Sequence, residues 1–174
     1  MGSGMGAYTE SKGKQFIRQA IAEFINHRDG FDNVGGTSAN PENIFLTSGA
    51  SEGAKSVIDL LIAAQNDGIM IPIPQYPLYS ASIKKAGGVQ VNYYPDEDNG
   101  WAFDRAMLDE ALVNARDAGV NVKGIVAINP GNPTGAVLSE GSVREVIAFA
   151  RENGLVIIAD EVYQENIYSG EFVS

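Results

Sequence analysis

The amino-acid sequence predicts a three-layer α/β fold, in which a mostly parallel sheet carries helices on both faces. Helix-like and strand-like segments alternate along the 174 residues, and the strand-like segments are continuous apolar runs. Strands of that kind are buried on both faces, as they are when helices cover both sides of a parallel sheet. The sequence contains no internal repeat, low-complexity tract or linker, so we interpret it as one α/β domain or part of one.

The first half of the chain predicts helices and strands in turn. Residues 14–27 place apolar side chains at helical spacing on one face, which indicates an amphipathic helix. Further helical patterns cover residues 54–65 and about 79–86. Apolar runs predict strands at residues 44–47, 69–73 and 89–94.

Capping residues mark the helices of the second half. Asp104 is predicted to be the N-cap of a helix to about residue 118, because its side chain can accept from first-turn amides. Ser139 is predicted to cap a helix that runs to about Asn153 and ends at Gly154. The remaining apolar runs predict strands at residues 124–129 and 155–159.

Composition argues against several classes of function. Lysine and arginine number 12 against 22 acidic residues, and this net charge of −10 disfavours a general binder of nucleic acid or anionic membranes. The chain has no cysteine and only one histidine, His27, so we expect no metal centre and neither cysteine nor Ser-His-Asp catalysis. No apolar run approaches the ~20 residues of a membrane span, and residues 1–10 lack the features of a signal peptide. We therefore expect a protein of the cytoplasm or of an organelle matrix.

Four loops that follow predicted strands carry unusual residues, and ligands of such sheets bind outside the carboxyl ends of the strands. In residues 48–53, SGASEG, small residues and a helix start let backbone amides approach an anion, and the Ser51 hydroxyl could add a donor. A capped helix start is the alternative. In residues 74–79, PQYPLY, two prolines fix Tyr76 at an angle suited to stacking on a flat heterocycle. The alternative there is that Tyr76 and Tyr79 only close the core.

The other two loops present polar side chains. In residues 129–135, NPGNPTG, Asn132 stands before a proline, which disfavours helical backbone and lets the side-chain amide be aimed. An ordinary turn asparagine is the alternative. Asp160 directly follows a buried strand, where a carboxylate is costly unless it meets a cation or a donor. A surface acid after a strand describes Glu161 better. The four loops together fit a planar heterocycle with a phosphate, a phenolic or carbonyl oxygen and a protonated ring nitrogen, which are the groups of pyridoxal 5′-phosphate.

The motifs in these loops resemble those of the fold-type I, class-I aminotransferases, a family of pyridoxal-phosphate-dependent enzymes. NPGNPTG and ADEVY resemble the class in general, while PQYPLYSA and DEVYQENIY resemble its alanine aminotransferases more narrowly. The segments that match the family lie at residues 6–11, 45–61, 72–83, 128–140 and 159–168. The resemblance implies transfer of an amino group between L-alanine and 2-oxoglutarate, which gives pyruvate and L-glutamate.

The resemblance also implies which residues contact the cofactor: Tyr8, Ala50, Ser51, Glu52, Tyr76, Asn132, Asp160 and Tyr163. Asp160 would keep the pyridine nitrogen protonated, and Tyr163 would join Asn132 in donating to the phenolic oxygen. These roles make Asp160 and Tyr163 the expected catalytic residues. The start of the helix at residues 50–52 would hold the phosphate, and Tyr76 would stack on the ring. Tyr8 would reach a phosphate in a partner subunit, which implies a homodimer with shared sites.

The same resemblance implies parts that this sequence does not contain. The family lysine that bonds to the cofactor lies well beyond the DEVY segment, and no lysine here matches it: Lys12, Lys14, Lys55, Lys84, Lys85 and Lys123. We therefore expect residues 1–174 to be a fragment of the cofactor-binding large domain, without the N-terminal segment, the lysine region and the small domain, and inactive alone. Residues 44–47 are expected to pair with a strand that follows the lysine. Two alternatives stay open: a non-catalytic domain that binds this cofactor or another ligand, and a related transaminase or lyase with a different amino-acid substrate.

Overall fold

A computed structural model describes residues 9–30 and 38–174 of the chain. The chain divides into two compact units, Met1–Ser48 and Gly49–Ser174. In the first unit the structure places helix α1 at Gln15–Arg28 and one short 3-10 helix at Pro41–Asn43. The second unit holds the sheet.

The first unit is organised around Arg18, a buried side chain on α1. Its guanidinium donates to the backbone carbonyl oxygens of Gly13 at 3.1 Å and Pro41 at 2.7 Å. It also pairs with the carboxylates of Glu10 at 2.5 Å and Glu42 at 3.1 Å. Charged and carbonyl acceptors thus give each guanidinium nitrogen a partner, which lowers the cost of burying the arginine.

The helix predicted for residues 14–27 is confirmed, but its apolar side is not the side that is buried. Arg18 and Ala22 are the buried residues of α1, whereas Phe16 is 70% exposed and Phe24 is 48% exposed. The ion pairs of Arg18 determine which side of the helix faces the rest of its unit. Helical spacing alone therefore identified the element correctly but not its buried face.

The strand predicted at residues 44–47 is wrong in this structure. The backbone is extended at Ile44, with φ −101° and ψ 128°, yet these residues belong to no strand. An extended segment becomes a strand only when a neighbour satisfies its amides and carbonyls. Within the described part of the chain, no strand pairs with these residues.

The second unit contains a parallel four-stranded sheet with the order β2-β1-β3-β4. Its strands are β1 at Asp67–Pro72, β2 at Val89–Tyr93, β3 at Asn121–Ile128 and β4 at Val156–Asp160. Its helices are α2 at Ala50–Leu61, α3 at Leu78–Ala86, α4 at Arg105–Asp117 and α5 at Glu140–Asn153. The predicted α/β class and the parallel pairing are both confirmed.

Successive residues of the central strands enter two different cores. In β1, Met70 packs with α4 and α5, whereas its neighbours Ile69 and Ile71 pack with α2 and α3. In β3, Ile125 and Val126 divide in the same way. Side chains alternate between the faces of a sheet, so an apolar run is needed when both faces are covered. This arrangement explains why the strands read as continuous apolar runs.

The predicted caps are present in the structure. The Asp104 side chain accepts from the Ala106 amide at 3.0 Å, and α4 begins at the next residue. The Ser139 hydroxyl accepts from the Ser142 amide at 3.1 Å at the start of α5. Gly154 ends α5 in the left-handed conformation, with φ 66°. These caps satisfy helix-end groups that have no intrahelical partner.

Helix α2 lies earlier in the chain than residues 54–65, where the apolar pattern placed it. It begins at Ala50, because the small residues of the preceding loop form its first turn. It ends at Leu61, because the Asp67 carboxylate accepts the amides of Ala63 and Ala64, both at 2.9 Å, and these amides leave the helical pattern. Asp67 also accepts from the Asn121 side-chain amide at 2.7 Å, which connects β1 to the start of β3.

We predict that acidification destabilises the chain partly through Asp67. The pKa of this buried carboxyl is lowered, chiefly by the hydrogen bond from the Ala63 amide, against an opposing effect of burial. A carboxyl whose pKa is lower in the folded state contributes stability above its unfolded pKa of about 4, and this contribution is lost as the pH falls through the folded pKa. Urea unfolding between pH 7 and pH 3 measures the effect.

Asp67→Asn is the variant that isolates this contribution. It should be less stable than the wild type at pH 7 and should lose less stability on acidification. The exposed Asp59→Asn on α2 is a control that keeps the wild-type pH dependence. An identical acid dependence in Asp67→Asn and the wild type would contradict the prediction.

Candidate active site

A cavity of about 290 Å³ lies at the carboxyl ends of β3 and β4, beside the start of α2. Parallel α/β sheets bind ligands at this edge. The residues that line the cavity come from α2, the loop before α3, the strand ends and the loops that follow them: Ala50, Ser51, Tyr76, Leu78, Ile128, Asn132, Asp160, Val162 and Tyr163. The four loops selected from the sequence therefore meet in one place.

One end of the cavity is the beginning of α2. Gly49 precedes the helix with φ 83°, a conformation that favours glycine. Ala50 and Ser51 belong to the first turn, where backbone amides have no intrahelical acceptor and the helix dipole favours an anion. Glu52 does not line the cavity, and its amide donates to the Gly49 carbonyl at 3.2 Å. Of the three predicted residues at this end, Ala50 and Ser51 reach the cavity.

Asp160, the last residue of β4, places its carboxylate in the cavity wall. The Tyr79 hydroxyl donates to Oδ2 at 2.6 Å, and the Val162 amide donates to Oδ1 at 3.2 Å. Burial raises the pKa of Tyr79, and the hydrogen bond to Asp160 raises it further. Tyr79 therefore keeps its proton at neutral pH and can act as a donor to the carboxylate.

A second polar pair faces the same cavity from the loops after β3 and β4. The Asn132 side-chain amide donates to the Tyr163 hydroxyl oxygen at 3.5 Å. The second N–H of the amide and the hydroxyl proton are then both available to an oxygen acceptor that lies beside the pair in the cavity. The loop that carries Asn132 is anchored by buried Asn129. The Asn129 side chain accepts from the Leu138 amide at 2.9 Å and donates to the Val173 carbonyl at 3.0 Å.

Tyr76 provides an aromatic wall on the side of α3. It is 49% exposed and lines the cavity with Leu78, so its ring has room for a stacking partner. Two hydrogen bonds stabilise the turn around Tyr76: the Ser80 hydroxyl donates to the Pro77 carbonyl at 3.1 Å and accepts from the Gln75 side-chain amide at 3.2 Å. The first turn of α3 thus determines where Tyr76 stands.

The structure brings most of the predicted site residues together and adds one that sequence reasoning missed. Ala50, Ser51, Tyr76, Asn132, Asp160 and Tyr163 share the cavity, and Tyr8 lies outside the described residues. The missed residue is Tyr79, which the sequence suggested only as a core side chain. It is a core side chain, 1% exposed, whose hydroxyl nevertheless binds Asp160. The only signal in the sequence was a second tyrosine, one helical turn after Tyr76.

Several groups are absent from the cavity or from the described residues. None of the lysines lines the cavity, Lys55 included. Residues 9–30 and 38–174 contain no cluster of histidine, cysteine and carboxylate side chains suited to a metal ion. In the same ranges, no helix has the length and apolar character to cross a membrane.

The sequence and the fold both relate this chain to one family of proteins. The family model described as "Aminotransferase class I and II" matches residues 1–174. The chain belongs to the class I and II aminotransferases. This finding confirms the family that the motifs indicated.

Curated proteins with a similar sequence are aminotransferases too. "Alanine aminotransferase 1, mitochondrial" of Arabidopsis thaliana is 50% identical over 167 residues, which cover 96% of this chain and 30% of that protein. "Alanine aminotransferase 1" of Homo sapiens is 47% identical over 171 residues, which cover 97% of this chain and 33% of that protein. "Glutamate–glyoxylate aminotransferase 1" of Arabidopsis thaliana is 47% identical over 168 residues, which cover 97% and 34%. The chain spans about a third of the length of these relatives.

Solved structures share the fold. Alanine aminotransferase from Pyrococcus furiosus superposes with a TM-score of 0.84 at 29% identity, covering 98% of this chain and 40% of that one. A single mutant of Thermus thermophilus aspartate aminotransferase gives a TM-score of 0.83 at 26% identity, covering 96% and 40%. These neighbours confirm the predicted fold type.

Proposed function

We propose that this chain forms the pyridoxal 5′-phosphate site of an enzyme that transfers the amino group between L-alanine and 2-oxoglutarate. The observation that carries the proposal is the single cavity in which an anion-binding helix start, a carboxylate, an amide–phenol pair and an aromatic side chain meet. Relatives named alanine aminotransferase at 47% and 50% identity support the choice of amino acid.

The donor set of the cavity fits each group of this cofactor. The amides of Ala50 and Ser51, with the Ser51 hydroxyl, suit the phosphate. The Asn132 amide donates to the Tyr163 hydroxyl at 3.5 Å, and the second N–H of the amide together with the hydroxyl proton suits the phenolic oxygen. Asp160 suits a protonated ring nitrogen because its two bonded donors leave other lone pairs free to accept. Glu52, which lies outside the cavity wall, is assigned at most a supporting role in the helix turn.

The cofactor, when bound, supplies a conjugated ring that accepts the electron pair released at the substrate α-carbon. Asp160 holds the proton at the ring nitrogen, which keeps the ring electron-poor. Asn132 and Tyr163 stabilise negative charge on the phenolic oxygen by donating to it. Tyr76, which lines the cavity, would stack on the ring and keep water from that side. Each of these contributions is a matter of position and charge rather than of covalent chemistry.

The remaining groups of the reaction are proposed to come from sequence outside these 174 residues. No lysine lines the cavity, and the relatives are about three times as long as this chain. The lysine that bonds to the cofactor and the arginine that binds the substrate carboxylate are assigned to that additional length. We also propose a homodimer in which Tyr8 reaches the partner's phosphate, and a location in the cytoplasm or an organelle matrix.

The binding half of the proposal can be tested with the single tryptophan of the chain. Trp101 lines a small cavity of about 30 Å³ that Asn132 also lines, so a bound pyridine aldehyde should quench its emission. We expect saturable quenching by pyridoxal 5′-phosphate and much weaker binding of pyridoxal, which lacks the phosphate. Absence of saturable quenching would contradict the proposed site.

The catalytic half predicts that the chain alone binds the cofactor without turning over alanine and 2-oxoglutarate. Borohydride reduction followed by peptide mapping should find only scattered adducts on surface lysines, because no lysine lines the cavity. Turnover by the chain that Asp160→Ala abolishes would show that the residues present suffice. A longer natural form containing this sequence should catalyse the reaction.

A second substrate pair is supported by one observation. "Glutamate–glyoxylate aminotransferase 1" of Arabidopsis thaliana is as similar to this chain as the human alanine enzyme is, at 47% identity. The glyoxylate alternative predicts that glyoxylate is a better amino acceptor than pyruvate when glutamate is the donor. Comparing kcat/KM for the two oxo acids in the longer form distinguishes the two candidates.

A further inference from the structure

The shorter of the two hydrogen bonds to the Asp160 carboxylate comes from a part of the chain far away in sequence. Tyr79 lies on α3, 81 residues before Asp160, and its hydroxyl donates to Oδ2 at 2.6 Å. Its ring is 1% exposed and packs in the core between α2, α3 and the sheet. The buried ring thus directs its hydroxyl to the Asp160 carboxylate.

We propose that Tyr79 is a positioning residue that fixes the Asp160 carboxylate for contact with the ring nitrogen of the cofactor. The inference rests on the proposed function for its cofactor half, but its geometric half concerns only two side chains of this chain. Tyr79 binds one carboxylate oxygen and the Val162 amide binds the other, so the carboxylate is held from both sides. Held in this way, the group is preorganised and loses little freedom on binding a ligand.

The position of Tyr79 on α3 gives the interaction a second consequence. Tyr76 stands three residues earlier, in the loop before α3, and lines the cavity. The start of α3 therefore places both the aromatic face and the support of the carboxylate. Tyr76 and Tyr79 both lie in residues 75–80, a short segment with hydrogen bonds between its own residues, and this segment sets the spacing of the two tyrosines.

Tyr93 provides a matched control within the same sheet. It is fully buried like Tyr79, and its hydroxyl donates to the Val126 carbonyl at the same distance, 2.6 Å. Tyr93 does not line the cavity, and its acceptor is backbone. Tyr79→Phe and Tyr93→Phe thus each remove one hydroxyl of a buried tyrosine, and only the first removes a hydrogen bond to Asp160.

The geometric half can be tested on the unliganded chain by carbon-13 NMR of the aspartate carboxyl groups. The Asp160 signal is assigned by its loss in Asp160→Asn. We expect Tyr79→Phe to move this signal at pH 7 and Tyr93→Phe to leave it in place, while both variants keep the wild-type circular dichroism. An Asp160 signal that is unchanged in folded Tyr79→Phe would overturn the inference.

The cofactor half compares pyridoxal 5′-phosphate with its 1-deaza analogue, in which a C–H group replaces the ring nitrogen. Tyr79→Phe should weaken binding of the natural cofactor by about 3- to 10-fold, the effect of losing one net hydrogen bond. The analogue has no ring nitrogen to pair with Asp160, so Tyr79→Phe should bind it with an affinity within about 2-fold of that of the wild type by the same reasoning. Equal weakening of both ligands would show a purely structural role and overturn the inference. Failure of the wild-type chain to bind the natural cofactor would overturn the proposed function instead, and the NMR result would still decide the geometric half.

Discussion

Asp160→Asn should weaken binding of pyridoxal 5′-phosphate by about 10- to 100-fold, the range expected when a hydrogen bond to a charged group is lost. The substitution keeps the shape of the side chain and can still accept from Tyr79, but it removes the negative charge that faces the cavity. The protonated ring nitrogen then has no counter-charge. Titration of the Trp101 emission with the cofactor measures the change.

The neighbouring acid supplies a control for this experiment. Glu161→Gln makes the same change in charge at the next residue, whose side chain does not line the cavity. The Glu161 carboxylate accepts a hydrogen bond from the Ser174 hydroxyl at 2.7 Å. This variant should bind the cofactor within about 2-fold of the wild type, since it leaves every proposed contact in place. Equal weakening by both substitutions would indicate a general electrostatic effect and refute the assignment of Asp160.

Phe149→Ala should lower the free energy of unfolding by about 3–5 kcal/mol. Phe149 lies on α5, is fully buried, and packs in the core shared by α4, α5 and the sheet. The guanidinium of Arg105 also lies 5.5 Å from the centre of its ring. Removing the ring takes away apolar contacts and leaves a void that well-packed neighbours fill only in part. Urea unfolding followed by circular dichroism measures the loss.

Ile147, two residues earlier on α5, is the control for the core substitution. It is 50% exposed, so Ile147→Ala removes an apolar side chain from the same helix with little loss of buried contact. This variant should change the free energy of unfolding by no more than about 1 kcal/mol. Similar losses in the two variants would contradict the assignment of Phe149 to the core, because alanine has a higher helix propensity than either residue and a loss through propensity is not expected.

The sheet was predictable because the apolar runs reflect a physical requirement. Residues such as Met70 and Ile71 face opposite sides, and both sides are covered, so neither position can be polar. The caps at Asp104 and Ser139 were predictable because each depends on a side chain next to the helix it caps. Residues 44–47 were mispredicted because a strand also needs a partner, which an apolar run does not specify.

The site was predictable to the extent that the topology gathers strand ends. Asn132 and Asp160 follow β3 and β4, which are neighbouring parallel strands, so their side chains meet at one edge of the sheet. The role of Tyr79 could not be derived in this way, because its acceptor is 81 residues away and no local pattern links the two. Ala50 and Ser51 line the cavity and Glu52 does not, because the orientation of α2 about its own axis turns Glu52 away. The order of residues after Gly49 does not determine that orientation.

Asn129 links the chain around residue 173 to the loop that carries Asn132. The Asn129 side chain accepts from the backbone amide of Leu138, at the end of the proline-rich loop, and donates to the backbone carbonyl of Val173. The backbone amide of Asn129 donates to the backbone carbonyl of Asp160 at 2.9 Å. Strain introduced near residue 173, for example by an insertion or a fused tag, would pass through this one side chain to a loop that lines the cavity. We therefore expect sequence changes there to alter the affinity for the proposed cofactor without contacting it.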